Sequence, residues 1–144
     1  MVVKERINFI CKIAFLEIRR IGTIRLYLTK DATQTLVVSL VLSRIDYCNS
    51  LLAGLPQSLI GKLQRVQNCA ARLVVRAPPV SVHITQILGH LHWLPVRARI
   101  SYKIACLRFN AIIPSTPAYL SDLLHLCSPP RPLRSSADAH FLKI

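Results

Sequence analysis

Residues 36–56, LVVSLVLSRIDYCNSLLAGLP, leave this chain little freedom in how it can fold. At about 100° per residue, Leu36, Val37, Leu40, Val41, Tyr47, Cys48, Leu51 and Leu52 share one broad helical face. Val38, Leu42 and Ile45 add a second apolar strip, and Ser39, Ser43, Asp46 and Ser50 form a single narrow polar stripe. A helix apolar around most of its circumference must be covered on more than one side, so the spacing predicts a central helix packed among others. Arg44 interrupts the broad face between Leu40, Val41, Tyr47 and Cys48. An unpaired buried guanidinium is costly, so Arg44 has to reach solvent, meet a carboxylate or contact a ligand phosphate. Arg44 and Asp46 are accordingly assigned a structural role, orienting neighbouring helices.

The flanking sequence supplies the partners. Ile7, Cys11, Ala14, Ile18 and Ile21 recur at helical spacing over Val3 to Ile21, with Gly22 as the expected stop. Thr29 or Asp31 can cap the central helix, and Gly54 with Pro56 can end it. Pro56 suits the first turn of a further helix with the stripe Leu59, Leu63, Val66, Ala70 and Leu73. Ala77, Pro78 and Pro79 break it, and a short helix is expected over Ile84 to Leu88. After HLHWLP, Pro95 can start a helix reaching Ala111, with Val96, Ile100, Ile104, Leu107 and Ala111 inward. Pro114 and Pro117 end that helix, and Ala118 to Leu124 reads as a last short one. Sustained two-residue alternation occurs nowhere. The expected fold is all-α: a bundle of about four to six helices over residues 1–127, then a Pro- and Ser-rich C-terminal tail, extended or disordered, over 128–144.

Charge bears on partners. Nineteen Lys and Arg face six acids, a net charge of +13, and no acid lies between Tyr47 and Ser121. That interval holds Lys62, Arg65, Arg72, Arg76, Arg97, Arg99, Lys103 and Arg108, which therefore cannot form local i,i+4 ion pairs. They either project into solvent or take counter-ions from another molecule, and a polyanion is the natural one. A hydrophobic fraction of 52% exceeds ordinary soluble usage and suggests an element of a larger protein or one with an obligate partner. No window offers the roughly 18 uncharged apolar residues of a membrane span, and Lys4, Glu5, Arg6 and Lys12 interrupt any signal-peptide core. An intracellular protein without membrane attachment is expected, its five cysteines reduced and buried.

Catalytic patterns are missing from the sequence. Neighbouring acids are at least 12 residues apart (Glu5 to Glu17), so no local carboxylate pair exists for acid–base or metal chemistry. His83 with His90-x-His92, and His125-x-Cys127, lack the tight knuckle spacing of a metal site. There is no nucleophile motif and no Gly-rich phosphate loop. The expectation is a non-enzyme without metal or cofactor. Tyr47 and Trp93 could stack on a nucleotide, but core packing is the favoured reading for both.

The runs LSRIDYCNSLLAGLP, KLQRVQNCAARLV, HITQIL with LHWLPVRARISYKI, PAYLSDLL and RPLRSS occur in that order. Together with CKIAFLEIRRIGTIRLYLTKDAT, they resemble the C-terminal part of non-LTR (LINE-type) retrotransposon reverse transcriptases. The resemblance covers nearly the whole chain. It implies the thumb and post-polymerase region of an RNA-directed DNA polymerase, without the palm and its paired metal-binding aspartates. Departures occur at Ala77-Pro78-Pro79 and Ile112-Ile113-Pro114, where more polar, Gly-containing turns would be expected. These departures fit a decaying copy of a mobile element.

The resemblance implies that a thumb grips RNA or an RNA–DNA duplex by its backbones, which requires cations on helices and no base readout. The candidate phosphate contacts are Arg65, Arg72 and Arg76 on one segment, then Arg97, Arg99 and Lys103, with Arg19, Arg20 and Arg25 behind them. The alternative is a structural or vestigial helical interaction module that meets the missing palm, or a second copy of itself, through its surplus apolar surface.

Overall fold

The computed structural model describes residues 3–47, 49–76, 82–112, 125–127 and 141–143. The protein is all-α. Its helices are α1 (Val3–Ile24), α2 (Lys30–Val37), α3 (Ser43–Asp46), α4 (Gln57–Val75), α5 (Ile84–His90) and α6 (Val96–Ile112). Short 3₁₀ turns at Arg25–Tyr27 and Asn49–Leu52 and a π-helical turn at Val38–Leu42 join them. A small antiparallel ladder pairs His125–Cys127 with Phe141–Lys143. The residues of the expected last helix, 118–124, lie outside the described residues, as do 77–81 at the proline break and 128–140 in the tail. Two compact units divide the chain, residues 1–103 and 104–144.

In the first unit α4 is the hub, packed against α1, α2 and α5. It buries Ile60, Leu63, Val66, Gln67, Ala70, Ala71 and Val74, while Leu59 and Leu73 are only half-buried. The buried stripe is thus rotated by about 60° from the expected one, sharing Leu63, Val66 and Ala70 with it, and Gln67 is completely enclosed. A wholly buried amide must be bonded, and the partners described below explain its tolerance. Helix α1 faces α4 with Ile7, Cys11, Ala14 and Ile21. It does not stop at Gly22, which keeps helical backbone within Val3–Ile24. The end of α1 is fixed instead by Arg25 in the following turn, which is anchored to α4.

The central helix departs most from its expected form. Thr29 caps α2 as predicted, its hydroxyl accepting from the Ala32 N–H at 3.2 Å. Backbone dihedrals stay helical from α2 through the π turn into α3. Thr35, Ser39 and Ser43, spaced by four, each donate to the carbonyl one turn earlier, on Asp31, Thr35 and Ser39. Hydroxyl back-bonding of this kind loosens a helix, and here it lies alongside the wider π turn. That turn advances the chain by less than 100° per residue, so an ideal helical wheel loses phase across it. Val37, Val41, Leu42 and Ile45 are buried, whereas Val38 is 42% exposed and Tyr47 71%. Asp46 ends the α-helical run, and Leu51, in a separate 3₁₀ turn, faces solvent. The central helix is therefore covered on one side rather than several, and Tyr47 is not a core residue.

Helix α5 closes with a Schellman arrangement. The Trp93 N–H donates to the Leu88 carbonyl at 2.9 Å, the His92 N–H to that of Gly89 at 3.1 Å, and His92 adopts a left-handed φ of 54°. This turn tucks Trp93 into the core at 7% exposure and delivers the chain to Pro95 and α6. Val96 and Ile100 are buried, but Leu107 is half exposed, so the expected inward stripe covers only the first turns of α6.

Candidate nucleic-acid interface

Arg65, Arg72 and Arg76 occur at i, i+7 and i+11, which brings them within about 40° of one another around α4. Arg65 and Arg76 are exposed and Arg72 is half-buried, its Nη2 donating to the Val82 carbonyl at 3.2 Å. Cys69, also exposed, shares the stripe and so is not the buried thiol expected. The opposite face of α4 is the buried one, so core packing sets this stripe on the outer side of the helix, where Arg72 and Arg76 also donate to protein carbonyls.

The far end of the stripe is built by Arg25. Its Nε and Nη2 donate to the Leu73 and Val74 carbonyls, at 3.1 and 2.9 Å, and its Nη1 to the Leu28 carbonyl at 2.9 Å. The last carbonyls of α4 thereby gain donors and a positive charge where the helix dipole is negative. Arg76, in left-handed conformation at the helix end, donates in turn to the Arg25 carbonyl at 3.0 Å. Burial, reinforced by the charge of Arg76, lowers the Arg25 pKa. Arg25 is 8% exposed and structural, so it is withdrawn from the candidate phosphate contacts.

The cations of α6 divide. Arg97 is exposed and reaches Gln57 Oε1 at the start of α4, at 3.4 Å. Arg99 turns the other way. Its Nη1 forms an ion pair with Asp46, and its Nε donates to the Leu94 carbonyl at 3.1 Å. Gln67 Nε2 donates to that same carbonyl at 2.8 Å. Gln64 Oε1 accepts from the Val96 N–H at 2.9 Å, so α4 caps the start of α6 with its own amides. Gln64 Nε2 bonds Gln67 Oε1 at 2.9 Å, which joins the two into one clamp. Sequence reasoning passed over this clamp, although two glutamines three apart on an apolar-flanked helix were the signal. Asp46, for which an orienting role is expected, has Arg99 as its partner. Lys103, one turn beyond Arg99, is exposed.

The remaining candidates are peripheral. Arg44 lies on the surface, its Nε bonded to the Leu40 carbonyl at 3.1 Å, which answers the cost of burying it by leaving it out. Arg20 is paired with Glu17 at 3.1 Å and Arg19 is exposed. Near Arg44, an apolar groove is lined by Phe9, Ile10, Ile13 and Tyr47, with Arg6 at its rim. Around HLHWLP, His90 Nε2 lies 2.9 Å from Lys30 Nζ, and His83 Nδ1 lies 2.6 Å from the Thr85 hydroxyl. Among the described residues no three His, Cys, Asp or Glu side chains gather to hold a metal, and no helix is long and apolar enough to cross a membrane. The chain matches no protein-family model, no curated protein and no solved structure.

Proposed function

We propose that this domain binds RNA or RNA–DNA duplexes through their phosphate backbones, without catalysis, as a thumb-like piece of a retroelement RNA-directed DNA polymerase. The single observation that carries the reading is the stripe of Arg65, Arg72 and Arg76 on α4, in a stretch from Tyr47 to Ser121 that contains no acid. A rigid helix bearing cations on one side suits a regular phosphate array and offers no base-edge chemistry. Arg97 of α6 adds a cation at the opposite end of α4, where it reaches Gln57, whereas Arg99 is committed to Asp46.

The test is affinity for an RNA–DNA hybrid across about 50–200 mM salt, the range over which several phosphate contacts cost orders of magnitude. A linear fall of log affinity with log salt is expected, and Arg65→Ala should flatten the slope by roughly 0.7–0.9. Affinity indifferent to salt rejects the proposal. The second reading is a helical interaction module, and the groove between Phe9 and Tyr47 favours it. It predicts association with protein that survives loss of the α4 arginines.

A further inference from the structure

A cleft of about 360 Å³ lies in the first unit, between the end of α3 and the start of α6, lined by Leu94 and by the polar residues Asp46, Asn49, His92, Arg99, Tyr102 and Lys103. Its size falls in the range of ligand sites. Two of the residues that line it carry acceptors buried without a hydrogen-bond partner among the described residues: Asp46 Oδ1 and Asn49 Oδ1. Asn49 is 93% buried, since its exposure is 7%. Buried acceptors are nearly always satisfied, so a partner carrying hydrogen-bond donors fits here. Arg99 offsets the charge of Asp46, and Lys103 on the same wall leaves the cleft net positive, which disfavours a cation as that partner and favours an anion beside it. Tyr102 presents an exposed ring next to them. Neutral hydroxyl donors next to a phosphate, with a base free to stack, describe a ribonucleotide.

We infer that this cleft takes one ribose-phosphate unit of a bound RNA strand. Asn49 Oδ1 and Asp46 Oδ1 accept from ribose hydroxyls, Lys103 holds the adjoining phosphate while Arg99 stays on Asp46, and Tyr102 flanks the base. Arg99 already bonds Asp46 and Leu94 through Nη1 and Nε, which fixes the guanidinium before any ligand arrives. The 2′-hydroxyl is the group that separates RNA from DNA, so the cleft confers a preference for ribose on an otherwise backbone-directed grip. This inference rests on the nucleic-acid binding proposed above.

The full chain is titrated with two RNA–DNA hybrids of one sequence, identical except that the RNA strand of the second carries 2′-O-methyl groups. Both are A-form and equally charged, so shape and phosphate contacts are held constant. The unmodified hybrid should bind roughly tenfold tighter, the worth of one well-made hydrogen bond to an otherwise orphaned acceptor. Asn49→Ala should bring its affinity down to that of the methylated hybrid. Because Asn49 is buried, its side-chain amide signals are also followed in the unaltered protein, and they should shift with the ribose hybrid and stay in place with the methylated one. Equal, salt-sensitive affinities leave phosphate binding standing and overturn the cleft. Absence of salt-sensitive binding to either hybrid overturns both.

Discussion

Arg25 is the side chain whose removal the fold should feel most. It satisfies the Leu73, Val74 and Leu28 carbonyls together from a site only 8% exposed. Arg25→Met keeps the aliphatic stem but strands those acceptors, and the expected loss is about 2–4 kcal/mol of unfolding free energy in a denaturant titration. Arg65→Ala on the exposed face should cost no more than about 0.5 kcal/mol in the same experiment. Cys11 makes a second residue-scale test. Burial pushes its thiol pKa up, with Lys62 opposing in part. The unfolded chain therefore surrenders that proton at lower pH than the folded one. The stability this contributes is whole below the ordinary thiol range near pH 8.5 and drains away as pH rises through it toward the raised folded value. Unfolding titrations of the protein and of Cys11→Ala across alkaline pH should show a steeper decline in the former. Arg25 and Arg65 look alike in the sequence, each an arginine near apolar neighbours, and only the tertiary approach of α1's end to α4's end distinguishes them.

Whole helices were more legible than their phases. The starts of α1 and α5, the Thr29 cap and the opening of α4 at Pro56 follow from spacing and capping chemistry. The buried stripe of α4 departs from the one its apolar residues give because the Leu94 carbonyl and Gln64 turn a polar residue, Gln67, into a core residue. In the central helix a π turn shifts the register, which a fixed angle per residue cannot follow. The candidate site was half readable: the Arg65, Arg72 and Arg76 stripe needs only helical geometry, but the Asp46–Arg99 pair spans 53 positions and leaves no local signature. Helix backbone offers its own predictions. Gly61 lies within α4 with open space where a Cβ would go. Gly61→Ala should raise stability by about 0.5–1 kcal/mol through lost unfolded-state freedom, seen as a shift of the denaturant midpoint at constant slope. His92 holds the left-handed position of the α5 cap, where an L side chain is strained. His92→Gly should gain about 1 kcal/mol at that position.

At the scale of the molecule, two opposed surface properties share one protein. A charge of +13 drives copies apart, while the groove between Phe9 and Tyr47, 60% and 71% exposed, draws apolar surface together. The first force is screened over a Debye length of about 10 Å at 0.1 M salt and about 3 Å at 1 M, and the second is not. Salt should therefore push two behaviours in opposite directions. Binding to a hybrid duplex weakens as counterions compete for phosphates, and self-association strengthens as the repulsion between copies collapses. Light scattering on the protein alone should find mass per particle rising from low to high salt. The double variant Phe9→Ser, Tyr47→Ser should remain at its low-salt mass throughout while keeping the full salt dependence of duplex binding. Should the variant associate as readily as the parent, the groove is not the adhesive surface. Should it lose duplex binding, Phe9 and Tyr47 belong to the nucleic-acid interface, and the grip extends from the arginines of α4 to the aromatic rings beside Arg6 and Arg44.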